Sequence, residues 1–196
     1  MRTRDTLKVE LVKQKAMELL VKDGFEGFSI NNLAKACGIS VATLYIYYED
    51  KDDLIIKIAS EEMNKMTSAI FKDFDPEASF EEGMRVQWKN RYRYMIKNPK
   101  TAPLLEQLRS STYQKDIFKS TIDEFSNMMG RFFHNALAKG EIEEYPVGVF
   151  WSVAFAPLYS LIRFNSEGTS VGGKPFKLTD KQVWQTFDLV MKALKK

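Results

Sequence analysis

Apolar positions along this chain recur at helical rather than strand spacing almost throughout. Val9, Val12, Ala16, Leu19 and Leu20 form one stripe, which closes at Gly24, a residue suited to the left-handed turn after a helix. Ser29 is placed to cap a short helix through Ala36, Gly38 supplies a tight turn, and Ser40 is placed to cap a second short helix running to Tyr48. Asp50 with Asp53 resembles a capping box and opens a long helix from Lys51 to about Phe71, broken by Asp73, Asp75 and Pro76. Ser79 with Glu82 makes a further box, and that helix runs until Asn98–Pro99 stops it. A short helix over 102–109 follows, then a long one over 114–139 that ends at Gly140. Pro146 opens a very apolar helix to about Phe164, a Gly- and Ser-rich loop covers 165–177, and Thr179 with Gln182 caps a last helix. The pattern predicts an all-α chain of about nine helices and no strand.

Composition narrows the class without naming a function. Hydrophobic residues make up 44% and charged residues 28% of 196, ordinary for a globular chain. No apolar run approaches the roughly 18 residues that would span a bilayer, and the N-terminal residues lack the apolar core of a secretory signal. One cysteine, Cys37, excludes an internal disulfide and fits a reducing compartment, so a cytoplasmic location is expected, with no membrane partner. The formal net charge of +3 is too small to argue for nucleic acid. Residues 1–48 hold seven basic and five acidic residues, and an acidic stretch, 49–53, follows at once. A nucleic-acid function must therefore rest on a motif.

Residues 30–48 carry that motif. Ala34, Gly38 and Leu44 are spaced so that a small residue lets two helices approach, a glycine turns the chain, and an apolar residue locks the second helix onto the first, as a helix-turn-helix requires. Spacing alone fits any short helical hairpin as well. The stretch Lys15–Ile58 is more specific: Asp23–Gly24–Phe25, a Ser29-initiated helix, Gly38–Ile39–Ser40, Thr43–Leu44–Tyr45, Tyr48 and Lys51–Asp52–Asp53–Leu54 occur in order. It resembles the DNA-binding domain of the tetracycline-repressor (TetR) family.

That resemblance implies a three-helix DNA-binding domain over 1–53 and a helical effector-binding and dimerisation domain over 54–196. It implies that Ser29 presents its hydroxyl and free backbone N–H groups to a phosphate. Ser40 and Thr43 would open a recognition helix lying in the major groove, with Tyr45, Tyr47 and Lys51 on phosphates. Leu44 and Tyr48 would face the core, and Arg2 and Arg4 would form an arm reaching a minor groove. The chain departs from the family pattern at Val41, Ala42 and Tyr47, and Ile46 is apolar on an outward face. Either these residues pack against neighbours, or Ala42 and Ile46 touch thymine methyl groups and favour A·T-rich half-sites.

Behind the motif the sequence supplies architecture and little chemistry. Met84, Trp88, Tyr92 and Met95 form one stripe, Phe118, Phe125, Met128, Met129, Phe132 and Phe133 another, and Trp151, Phe155 and Tyr159 a third. Such stripes are ordinary core, or they line a cavity between helices; in the second case Trp88, Tyr92, Met95, Phe118, Phe125, Met129, Trp151 and Phe155 are the candidate pocket. The resemblance implies an effector, and these residues suit an apolar or amphipathic one. Arg85, Arg91, His134 and Arg163 are the polar residues that would enter a pocket, although arginines at these spacings more often cover a solvated face. No catalytic pair, metal-ligand spacing or phosphate-binding glycine loop is evident, so neither enzyme activity, a metal nor a cofactor is expected. The resemblance also implies a homodimer through the last two helices, which would read a palindromic operator with two recognition helices roughly 34–36 Å apart. An effector that prefers altered helix packing would release a repressor from DNA. Two rival readings are a helical small-molecule-binding protein with a vestigial helix-turn-helix and a protein-interaction module.

Overall fold

A computed structural model describes residues 2–119 and 121–196, with side chains described from Thr6 onward and not at residue 120. Eleven α-helices lie among the described residues: α1 (Arg2–Gly27), α2 (Ile30–Cys37), α3 (Val41–Leu44), α4 (Lys51–Ile70), α5 (Phe80–Lys97), α6 (Thr101–Arg109), α7 (Gln114–Phe118), α8 (Ile122–Ala138), α9 (Val147–Ala154), α10 (Ala156–Glu167) and α11 (Asp180–Leu194). One 3₁₀ turn and two isolated β-bridges complete the pattern, so the all-α expectation holds. No single helix among the described residues is long and apolar enough to cross a membrane.

Most expected helix starts are present as hydrogen bonds. Ser29, Ser40, Ser79 and Thr179 each accept the backbone N–H three residues on, and Ser79–Glu82 and Thr179–Gln182 are complete reciprocal boxes. At α4, Asp50 Oδ1 accepts the Asp53 N–H at 2.7 Å, while Asp53 Oδ2 accepts from Glu49 N at 2.9 Å. The return bond of this box therefore lands one residue before the cap. Gly24 breaks helical geometry inside α1 at φ 73°, ψ 172°, as its place at the end of the first stripe predicts.

Two expected helices are divided. The 114–139 segment forms α7, ending at Phe118, and α8, starting at Ile122. The 146–164 segment forms α9 and α10, bent by 46°. Pro157 explains the second break: it has no N–H for the Val153 carbonyl, and its ring crowds that oxygen, so Phe155 leaves the helix at φ −126°, ψ −31°. The third helix is also shorter than expected, ending at Leu44 with Tyr45–Tyr47 in a turn.

The chain folds as two compact units. The first comprises Met1–Lys65 with Lys100–Ile122, and the second Met66–Pro99 with Asp123–Lys196. The first unit thus extends the expected 1–53 segment to residue 65 and recruits α6 and α7. Its core includes Val12, Ala16, Leu20, Leu33, Leu44, Leu54, Ile55, Leu104, Leu108 and Ile117. In the second unit the core is strongly aromatic. Phe80 stacks on Phe132 at 5.8 Å, Phe74 meets the Phe132 ring edge-on at 5.2 Å, and Trp88 meets Phe187 edge-on at 5.4 Å.

Candidate functional site

The helix-turn-helix is built by three local devices. Leu33 and Ala34 bury one face of α2; Gly38 takes the left-handed conformation (φ 63°, ψ 32°); and the Ile39 N–H donates to the Ala34 carbonyl at 3.1 Å, closing the helix end. Ser40 then starts α3, its Oγ accepting the Thr43 N–H at 3.1 Å and lying 2.9 Å from Thr43 Oγ1. Leu44 is fully buried and Tyr48 nearly so, which places both in the core as expected.

The opposite face is the candidate interface. Ser40 and Ala42 are exposed, Ser29, Val41, Thr43 and Lys51 are half-buried, and Tyr45 and Tyr47 are exposed. Ile46 is 74% exposed, so it is not packed away within the protomer. The side chains of Arg2 and Arg4 lie outside those described. Three lysines of the first unit are held by carboxylates. Lys57 pairs with Asp53 at 2.8 Å, Lys13 with Glu61 at 2.7 Å, and Lys15 with Glu18 at 2.9 Å.

Residues 100–113 brace this unit, a role without any periodic signal in the sequence. Gln107 Nε2 donates to the Val21 carbonyl at 3.3 Å, Thr112 Oγ1 to Glu26 at 3.1 Å, and Tyr113 Oη to Asp52 Oδ1 at 2.6 Å. Partial burial, followed by the Asp52 carboxylate, pushes the Tyr113 hydroxyl up to about 12, so it stays a donor at all ordinary pH. Lys100 reaches Glu18 at 2.9 Å, and hydrogen bonds from Lys15 and Lys100 hold the Glu18 carboxyl down at about 2. The folded state therefore binds fewer protons at Glu18 than the unfolded chain does between about 4.5 and 2. The stabilisation is complete above that window and is lost as pH falls through it. Because Glu18 is partly exposed, about 1 kcal/mol at most is at stake. Denaturant unfolding of Glu18→Gln should match the parent at pH 2 and fall below it by up to that amount at pH 6; equal gaps at both pH values would show that the pair contributes nothing.

The expected pocket residues do not all come together. Trp88, Met95 and Met129 are buried, and Trp88 Nε1 donates to the Ala154 carbonyl at 2.9 Å. Tyr92 is half-buried and donates to Asp180 at 2.9 Å, and Phe118 belongs to the first unit. Phe125, Trp151 and Phe155 form a chain of rings, with centroids 6.0 Å and 4.8 Å apart. A fourth residue joins them. Arg91 is 1% exposed, and its guanidinium carbon lies 4.5 Å from the Phe155 centroid, 5.6 Å from Trp151 and 5.8 Å from Phe125. The buried stripe of α5 thus runs through Met84, Trp88, Arg91 and Met95, with Tyr92 beside it. Arg85 and Arg163 are exposed and pair with Glu81 and Glu167, and His134 is exposed. Cys37 is half-buried, and burial raises its thiol. No group of three or more His, Cys, Asp or Glu among the described residues is arranged to hold a metal ion.

Comparison with known proteins bears on both units. The family described as bacterial regulatory proteins, tetR family, matches residues 14–58. An HTH-type transcriptional regulator of Haemophilus influenzae is 30% identical over 120 residues, 61% of this chain and 64% of that protein, so the match spans less than two thirds of the relative. A fatty acid metabolism regulator protein of Bacillus subtilis is 20% identical over 131 residues, 66% of this chain and 68% of its own. Among solved structures, a TetR family transcription regulator from Marinobacter aquaeolei superposes with a TM-score of 0.83 at 25% identity over 100% of both chains. The FadR regulator of Bacillus subtilis in complex with stearoyl-CoA shares the fold, with a TM-score of 0.68 at 16% identity over 94% of this chain and 96% of its own.

Proposed function

We propose that this chain, whose residues 14–58 match the tetR family of bacterial regulatory proteins and whose fold superposes on a TetR family regulator, is a transcriptional repressor whose first unit reads a palindromic operator and whose second unit takes a small-molecule effector. The observation that carries the DNA-binding reading is the two-sidedness of α3 and the turn after it: Leu44 is buried while Tyr45, Ile46 and Tyr47 face outward. Aromatic and apolar side chains in a helix-turn-helix gain nothing from water, and they suit the sugar–phosphate backbone and thymine methyl groups. Ser29 and Ser40 bring free N–H groups at helix starts toward phosphates, and Ala42 and Ile46 favour A·T-rich half-sites. Lys51, half-buried at the first turn of α4, completes the phosphate contacts.

A palindromic site needs two copies. Val149 on α9 is 52% exposed and Leu189 on α11 is 65% exposed, apolar surface that a homodimer would cover. The effector reading rests on the aromatic lining of the second unit, which suits an apolar or amphipathic molecule. The stearoyl-CoA complex of FadR shows that this fold can accept an amphipathic ligand. The effector would lower operator affinity by its preference for the protomer state that binds DNA less well, a coupling of typically 1–3 kcal/mol.

The test is a selection on random duplex DNA with the purified full chain, repeated with Tyr45→Ala and Lys51→Ala. The parent should enrich a palindrome, and each variant should bind the selected site about tenfold more weakly, the scale of one lost charge-assisted contact. No enrichment at low salt would overturn the reading. Guanines beneath Ile46 whose selection Ile46→Ala leaves unchanged would remove the A·T preference alone.

A further inference from the structure

We propose that Arg91 anchors the effector site and that the effector is a carboxylate on an apolar or aromatic body; this rests on the regulatory reading for the word effector, and not for the site itself. Arg91 sits on α5 at 1% exposure. Its Nη1 donates to Tyr159 Oη at 2.9 Å and its Nη2 to Gln87 Oε1 at 2.9 Å. Both partners are neutral. The buried Nε has no hydrogen-bond partner, and none of the ion pairs among the described residues includes Arg91. An arginine keeps its proton under all conditions in a protein, so a full positive charge is held here without an anion.

Such a charge is costly to bury, and a methionine of similar volume would fill the space without that cost. Aromatic faces offset part of it: Phe155, Trp151 and Phe125 all lie within cation–π range. Rings cannot supply the two in-plane acceptors that a guanidinium takes best. A carboxylate can, through the unused Nε–H and the spare Nη hydrogens.

The neighbours are set for the same guest. Gln87 Nε2 donates to the Ile70 carbonyl at 3.0 Å, which fixes the amide with its oxygen toward Arg91 and keeps the guanidinium plane in place. Tyr159 accepts from Arg91, so its own hydroxyl proton is available to a second carboxylate oxygen. Phe125 and Trp151 are only half-buried, whereas Phe155 is fully buried. The way in therefore runs past the first two rings, and the ligand's apolar body takes the place their edges hold now.

The experiment uses the full chain with decanoate and 4-phenylbutyrate, each paired with its primary amide. Binding is read by tryptophan fluorescence and by the thermal unfolding midpoint. At least one acid should saturate and raise the midpoint, with its amide about tenfold weaker or more, the scale of a lost charged hydrogen bond. Arg91→Gln should bind acid and amide alike. Equal binding of acid and amide by the parent, undiminished discrimination in Arg91→Gln, or no response to either acid would each overturn the proposal. The DNA selection on the same preparation separates the two readings. A parent that selects a palindrome yet ignores both acids loses the anion site and keeps its regulatory role; one that binds an acid through Arg91 yet selects no DNA does the reverse.

Discussion

Leu44→Ala is expected to abolish operator binding and to lower the unfolding free energy by about 2–5 kcal/mol, although Leu44 faces away from any DNA. The size follows from the length of α3. Four residues, Val41–Leu44, make barely one turn, far below what holds a helix together by its own hydrogen bonds. Its fixed points are the Ser40 cap and the side chain of Leu44, fully buried and the only buried residue of the element. Truncation to Ala removes the larger of these and leaves a cavity beneath the recognition face. Urea unfolding and titration with the selected operator check the two effects together. A loss under 1 kcal/mol with full operator affinity would mean that the cap alone holds α3.

Gly83→Ala should destabilise the second unit by about 1–3 kcal/mol, against the usual gain of about 1 kcal/mol when alanine replaces glycine inside a helix. A Cβ built at Gly83 would lie 2.2 Å from Phe132 Cε2 and 2.5 Å from Cζ. The ring has nowhere to go. It is fully buried, stacked at 18° on Phe80 and met edge-on by Phe74. A cycle with Phe132→Leu tests the cause: the double variant should lose less than the sum of the single variants, because the smaller side chain vacates the space the new methyl needs. A stabilised Gly83→Ala, or strict additivity, would show that the ring moves aside at no cost.

Local signals in this sequence were the readable ones. Caps at Ser29, Ser40, Ser79 and Thr179 need only a side-chain oxygen and a nearby N–H, so residue type and spacing reveal them. Gly38 is equally legible, because a left-handed turn between two helices leaves few alternatives. Pro157 was also in view, yet the apolar run around it reads as one helix until the missing N–H is counted. What stayed hidden is tertiary. Nothing in the pattern of 100–122 says that it braces the first unit, since Gln107, Thr112 and Tyr113 act through single hydrogen bonds. Arg91 was half visible: it shares a face with Met84, Trp88 and Met95, but arginines usually cover a solvated surface, as Arg85 and Arg163 do here. Gly83 carries no sequence mark at all, because a ring's approach leaves no trace in composition.

Paired lysines also shape how such a protein would search a chromosome. Lys13, Lys15 and Lys57 already hold carboxylates of the first unit, so these three displace fewer counterions from random duplex than unpaired lysines would. Sliding along non-cognate DNA would be brief, and a larger fraction of molecules would stay unbound between encounters. Residence at the operator then depends on close fit at α3 more than on charge. Occupancy should accordingly vary less with intracellular potassium than it does for strongly basic DNA readers.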